Sequence, residues 1–161
     1  MKTITLKIIL FALLAAGLAS CNNTRKGVVP YQSMETVCLN SEHDGSHTVR
    51  AWGKGRYLGD AKEQAKKNAV YDCLFKGILR GQGGCEARPI VAEANAREKY
   101  QAYFDKFFAD GGDYLEYVSM KDRRPGSWTH ARMKGGITCS MVVRVDYPGL
   151  RARLREDGVL K

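Results

Sequence analysis

The sequence predicts an α+β domain, an antiparallel sheet of about four strands with two main helices on one face and a short C-terminal helix. Three observations lead there. Apolar residues alternate at Val49 and Ala51, and again at Ile137, Cys139, Met141, Val143, Val145 and Tyr147, the two-residue period of a half-buried strand. Ala65, Ala69, Val70, Cys73, Leu74, Gly77 and Ile78 recur at three- and four-residue spacing, which is one stripe of a helix. A second stripe, Ala92, Ala96, Tyr100, Tyr103, Phe104, Phe107 and Phe108, is aromatic and belongs to the core.

In chain order, a short strand is expected near residues 36–39. The turn formers Ser41-Glu42-His43-Asp44-Gly45-Ser46 then join it to a strand over 48–53, making a hairpin. Asp60, with Glu63 three residues on, reads as the N-cap of a helix over 61–79 that ends in the glycines of 81–84. Pro89 opens the second helix, which runs to about residue 109 and stops at Gly111-Gly112. Residues 115–121 read as a strand, 122–136 as a long connection and 137–147 as the last strand. Leu150 and Leu154 face inward from a short helix over 150–157, with Gly158 as its stop.

The first 27 residues differ from the rest. Lys2 and Lys7 precede an apolar run from Ile8 to Gly17, far short of the roughly 20 residues a membrane-spanning helix needs. The run closes on Leu18-Ala19-Ser20-Cys21, which resembles the lipobox of bacterial lipoproteins. The resemblance implies that residues 1–20 are a signal peptide and that Cys21 is the site of lipidation. Cys21 would receive a thioether-linked diacylglycerol and, after cleavage, an N-acyl chain such as palmitate. At about 0.8 kcal/mol per buried methylene, two or three chains anchor a protein where one holds it weakly. Residues 21–27 then form a lipidated N-terminus and tether, and 28–161 a single α+β domain. The tether lacks an aspartate after the cysteine and an acidic run, which by the same resemblance implies the outer membrane, facing the periplasm.

Removing residues 1–20 takes two lysines from the 26 basic residues and none of the 17 acids, so the formal charge falls from +9 to +7 over 141 residues. An exported domain does not meet the genome, so this balance points away from nucleic acid. The partners it suits are the membrane itself, an envelope protein or an acidic cell-wall polymer. With Cys21 assigned to lipid, Cys38, Cys73, Cys85 and Cys139 remain where disulfides are permitted. Four cysteines allow three pairings. The most local is Cys73 with Cys85, while Cys73 and Cys139 also fit buried free thiols.

Little in the chain resembles catalytic machinery. His43 and His47, beside Glu42 and Asp44, form the one ligand-like cluster, but Gly45-Ser46 between them makes a solvated turn the expected reading; no metal or other cofactor is expected. A thiolate nucleophile needs a base, and Cys139 with His130 is the pairing on offer, but Cys139 points to the apolar face. The expected function is therefore a non-catalytic binding or assembly domain; the competing class is an enzyme acting on an envelope polymer such as peptidoglycan. The best candidate contact site lies in the 122–136 connection, where Arg123, Arg124, Trp128 and His130 combine the residue types richest in interface hot spots.

Val49-Arg50-Ala51-Trp52-Gly53-Lys54-Gly55, the alanine-spaced helix after Asp60 and the late strand ending Val145-Asp146-Tyr147 are similar to the small lipoprotein-antigen family. They are similar also to the N-terminal domain of the flagellar T-ring protein. The likeness covers roughly 48–80 and 137–147 and implies an envelope-assembly or surface lipoprotein. No functional residue carries over from it.

Overall fold

Strand alternation, small-residue packing and positive-φ glycines account for the fold of the computed structural model, which describes residues 34–120 and 127–161. Strands β1 (Val37–Ser41) and β2 (His47–Gly55) form the expected hairpin, Cys38 opposite Val49 and Ser41 opposite His47. The turn closes through the Glu42 N–H on the Ser46 carbonyl at 2.8 Å, and the Asp44 carboxylate accepts from both the N–H and the hydroxyl of Ser46. Helix α1 (Leu58–Phe75) crosses β2 and β6 (Gly136–Val145), the two strands at the centre of a mostly antiparallel sheet.

The Gly-x-Gly at the end of β2 makes that crossing close. A Cβ on Gly53 would overlap the Ala61 carbonyl and the backbone of Ala65, and one on Gly55 would strike Asp60 and Ala61. Ala61, Ala65 and Ala69 meet the strand from the helix side, all fully buried. The Asn68 side chain donates to the Trp52 carbonyl at 2.7 Å along the same seam.

The sheet is larger than expected. Its order is β3, β1, β2, β6, with β4 (Val118–Ser119) and β5 (Trp128–Met133) both on the far edge of β6. The added strand β3 (Arg80–Gly81) runs parallel to β1.

Four expected elements change, each for a physical reason. The capping aspartate holds, but from inside the helix: Asp60 accepts from the Tyr57 N–H at 3.1 Å, so Tyr57 is the N-cap. The helix ends at Phe75 rather than 79, because Gly77 adopts φ +76° and both its N–H and that of Lys76 bond the Asp72 carbonyl. The proline-initiated helix over 89–109 becomes two short pieces, α2 (Ala96–Lys99) and α3 (Gln101–Phe107). Residues 89–91 are not helical because the Ile90 and Val91 N–H groups satisfy the Cys73 and Leu74 carbonyls left open at the end of α1, and both side chains enter the core. The strand expected over 115–121 is mostly a 3-10 turn (Asp113–Tyr117) that wedges fully buried Tyr114 under the sheet, leaving two residues as β4. The aromatic stripe is core at Phe104 and Phe107, whereas Ala92 is exposed. Helix α4 (Tyr147–Glu156) buries Leu150 and Leu154 as expected, with Asp146 capping the Gly149 N–H at 2.9 Å and Gly158 following at φ +71°.

The expected Cys73–Cys85 bridge is replaced by Cys38–Cys85, and Cys73 is a buried free thiol. Sheet pairing outweighs nearness in sequence here. The chain from β3 to Cys85 lies directly against β1, where Gly81 abuts the Cys38 backbone and Gly83 abuts Leu39 and Asn40, while Cys73 faces inward from α1.

Gly53→Ala is expected to lower the urea midpoint by about 1–3 kcal/mol of stability, the cost of overpacking a contact with backbone on its far side. Gly59→Ala, in the first turn of α1 with no atom near its missing Cβ, is expected to raise stability by about 0.5–1 kcal/mol. Opening the Cys38–Cys85 bridge, which spans 47 residues, is expected to cost about 2–4 kcal/mol. A non-reducing peptide map should join the peptides of residues 38 and 85, and a fragment joining 73 to 85 would contradict the pairing.

Candidate functional site

Within the connection expected over 122–136, residues Trp128–Met133 form an edge strand. Ser119 pairs with Arg144 and Trp128 with Met141, so the chain advances nine residues while its partner advances three. β4 and β5 thus both pair along the same edge of β6. Arg123 and Arg124 fall in residues 121–126, outside the described residues, as does Cys21 in residues 1–33.

All six residues of β5 are exposed. Their register puts Trp128, His130 and Arg132 on the same face as Met141, Cys139 and Ile137, the face on which α1 lies. Trp128 and His130 stack at 5.5 Å between ring centres with planes 23° apart. The ammonium of Lys62, on α1, sits 3.9 Å from the centre of the indole ring. A cation over an exposed indole contributes about 0.5–1 kcal/mol, enough to orient the ring while leaving it 39% exposed. The structure therefore brings Trp128 and His130 together and adds Lys62, which had no sequence signal.

Cys139 is the cross-strand partner of His130, yet its thiol is fully buried. Burial pushes it above its ordinary value, with Lys62 opposing weakly. Burial, with the Asp72 charge adding to it, pushes the Cys73 thiol up to about 12. Both are neutral thiols near neutral pH, so neither presents the thiolate that nucleophilic chemistry needs.

The two hairpin histidines part company. His43 is exposed at the tip, whereas His47 begins β2, is 4% exposed and packs on the Tyr147 ring at 4.7 Å. Its Nε2 accepts from the Glu86 N–H at 3.2 Å, so the neutral ring carries its proton on Nδ1. Glu42 accepts from the Thr48 hydroxyl at 2.7 Å and lies 3.6 Å from Arg144, and Asp44 is held by Ser46. The carboxylates beside the histidines are thus committed to closing the hairpin.

Two clefts were not legible in the sequence. One, of about 360 Å³, lies between α1 and α3, with Tyr71, Phe104 and Phe108 as its apolar lining. Its charges are mostly paired: Lys67 with Asp110 at 2.6 Å, and Lys76 with Asp72 at 2.9 Å, while Arg97 donates to the Tyr71 hydroxyl at 3.3 Å. The other, of about 430 Å³, lies between the hairpin tip and the 3-10 turn, where Asp44, Arg144 and Asp146 meet Tyr117. Asp105 also lines the first cleft and Glu116 the second.

Burial holds the His47 imidazole below the ordinary histidine value of 6.5. The unfolded chain then binds this proton more readily than the folded one. His47 therefore contributes stability that is full above pH 6.5 and is lost as the pH falls through its depressed folded value. His47→Phe, which keeps a ring on Tyr147 but cannot titrate, is expected to flatten the stability profile below pH 6.5 in urea melts. An unchanged slope would assign the acid sensitivity elsewhere. Comparison with known proteins finds no matching family model, no similar curated protein and no similar solved structure.

Proposed function

We propose that this chain is an envelope lipoprotein, anchored through lipid on Cys21 in the outer membrane and facing the periplasm, whose α+β domain binds or assembles with an envelope partner without catalysis. The observation that carries the binding reading is β5: an exposed strand on which Trp128 and His130, with Lys62 of α1 beside them, form an ordered aromatic and cationic surface with no structural burden in the core. Arg and Trp surfaces held in one conformation lose little entropy when a partner docks. Two further features support the reading. The lipobox-like Leu18-Ala19-Ser20-Cys21 follows a signal-like apolar run. The Cys38–Cys85 bridge suits an oxidising compartment, and the remaining thiols are buried and neutral.

Growth with radioactive palmitate is expected to label the wild-type chain in the membrane fraction, and Cys21→Ala is expected to be unlabelled and soluble. A labelled Cys21→Ala chain would remove the anchor from this reading. A photo-crosslinking residue in place of Trp128 is expected to capture an envelope component in the native host. Trp128→Ala is expected to keep its urea midpoint within about 1 kcal/mol while losing that component, as for an exposed contact residue.

A further inference from the structure

β5 offers more than side chains. The Val142 N–H donates to the Ser127 carbonyl at 2.7 Å, which makes Ser127 and Val142 a hydrogen-bonded pair. In an antiparallel ladder such pairs alternate with non-bonded ones. By the register of β5 on β6, the backbone groups of Thr129, Ala131 and Met133 turn towards β6. Those of Trp128, His130 and Arg132 therefore point away from the sheet, three N–H groups and three carbonyls in a row. Among the described residues no strand lies beyond them.

Natural sheets protect such an edge with proline, a bulge or a very short strand. β5 has six residues and no proline, and its pairing with β6 runs without a register shift. Its charge is one-sided. Residues 127–136 carry Arg132 and Lys134 and no carboxylate, and Lys62 adds a third cation beside Trp128. Neither Arg132 nor Lys134 pairs with a carboxylate among the described residues. A second copy of the chain would bring these same cations against each other, which opposes self-pairing.

Resting on the binding reading above, we infer that β5 accepts an added strand from an acidic, extended segment of a partner protein. The backbone groups of Trp128, His130 and Arg132 supply the ladder. The partner's carboxylates lie opposite Arg132 and Lys134, and one of its apolar side chains lies against the Trp128–His130 stack. Main-chain bonds give affinity in this mode, and the alternate side chains give specificity.

The test uses the full chain in detergent and a fluorescent ten-residue peptide in which every second residue, the set that shares one face of a strand, is glutamate in one half and valine in the other, with threonine between. Alongside it run the same peptide N-methylated on alternate amides and a version with lysine for glutamate. The acidic peptide is expected to bind and to slow exchange at the amides of residues 128, 130 and 132. Each control peptide is expected to bind at least about ten-fold more weakly, the loss of one or more ladder bonds or of charge pairing. His130→Pro removes an outward N–H that β6 does not use, so the fold is expected to persist while binding falls about ten-fold or more. Arg132→Glu is expected to do the same, and serves if the proline variant fails to fold.

Equal binding of the N-methylated peptide, or binding without amide protection, would overturn strand addition. If that binding still vanished in Trp128→Ala, the contact site itself would stand. Binding that is indifferent to both Trp128→Ala and Arg132→Glu would overturn the contact site as well. Self-association that protects these amides would assign the edge to a second copy. Binding only to phosphatidylglycerol vesicles, or no peptide binding at about 1 mM, would overturn the acidic-strand partner.

Discussion

The close crossing of α1 over β2 is the contact on which the rest of the domain is built. Gly53 and Gly55 present bare backbone, Ala61, Ala65 and Ala69 present single methyls, and the helix and strand backbones meet directly. Such a seam has little freedom to slide or tilt, since any larger side chain would push the layers apart. It fixes the helix over β2 and β6, and so decides which residues of those strands are core. Val49, Ala51, Cys139, Met141, Val143 and Val145 are all sealed beneath it or its flanks. The larger apolar side chains gather at the ends of the helix, where Leu74 and Phe75 meet the aromatic cluster of α3.

The C-terminal end of α1 is held by polar and covalent links as well as by these apolar contacts. Buried Asp72 accepts from Thr36 at 2.5 Å and from Lys76 at 2.9 Å, tying the approach to β1 to the helix. Gly77 turns the chain, and Ile90 and Val91 return to close the open carbonyls. Between these points the chain pairs β3 with β1 and bridges Cys85 to Cys38. His47 receives the Glu86 N–H in the same region, so one bridge, one buried ring and a short parallel pairing staple a segment with few apolar residues of its own.

On the opposite side of the sheet, β6 is longer than any single neighbour. β4 covers its last two residues and β5 its first six. Strand β5 gains its position entirely from β6, with no buried side chain of its own. An element held by its ladder and one cation–indole contact keeps its surface available.

The alternation of β2 and β6, the alanine stripe of α1, the hairpin turn and the amphipathic α4 were all legible in the sequence, because each depends on a local period or a local turn former. The core role of Phe104 and Phe107 was legible for the same reason. The ends and partners were not. Gly77 sat in register with the stripe, but its φ of +76° ends the helix, and the Ala87 carbonyl leaves no room there for a Cβ. The Pro89 region carried a helix-start residue, but two open carbonyls on α1 claimed its N–H groups. Cys73 was nearest Cys85 in sequence, but Cys38 was nearest across the sheet. Strand β5 has no apolar period, since neither of its faces is buried; only β6 makes it a strand. In this protein local periodicity specified the α+β elements and their inward faces. Tertiary contact alone decided where each element stops, which cysteines meet and which edge stays open, because those depend on backbone groups and neighbours far apart in the chain.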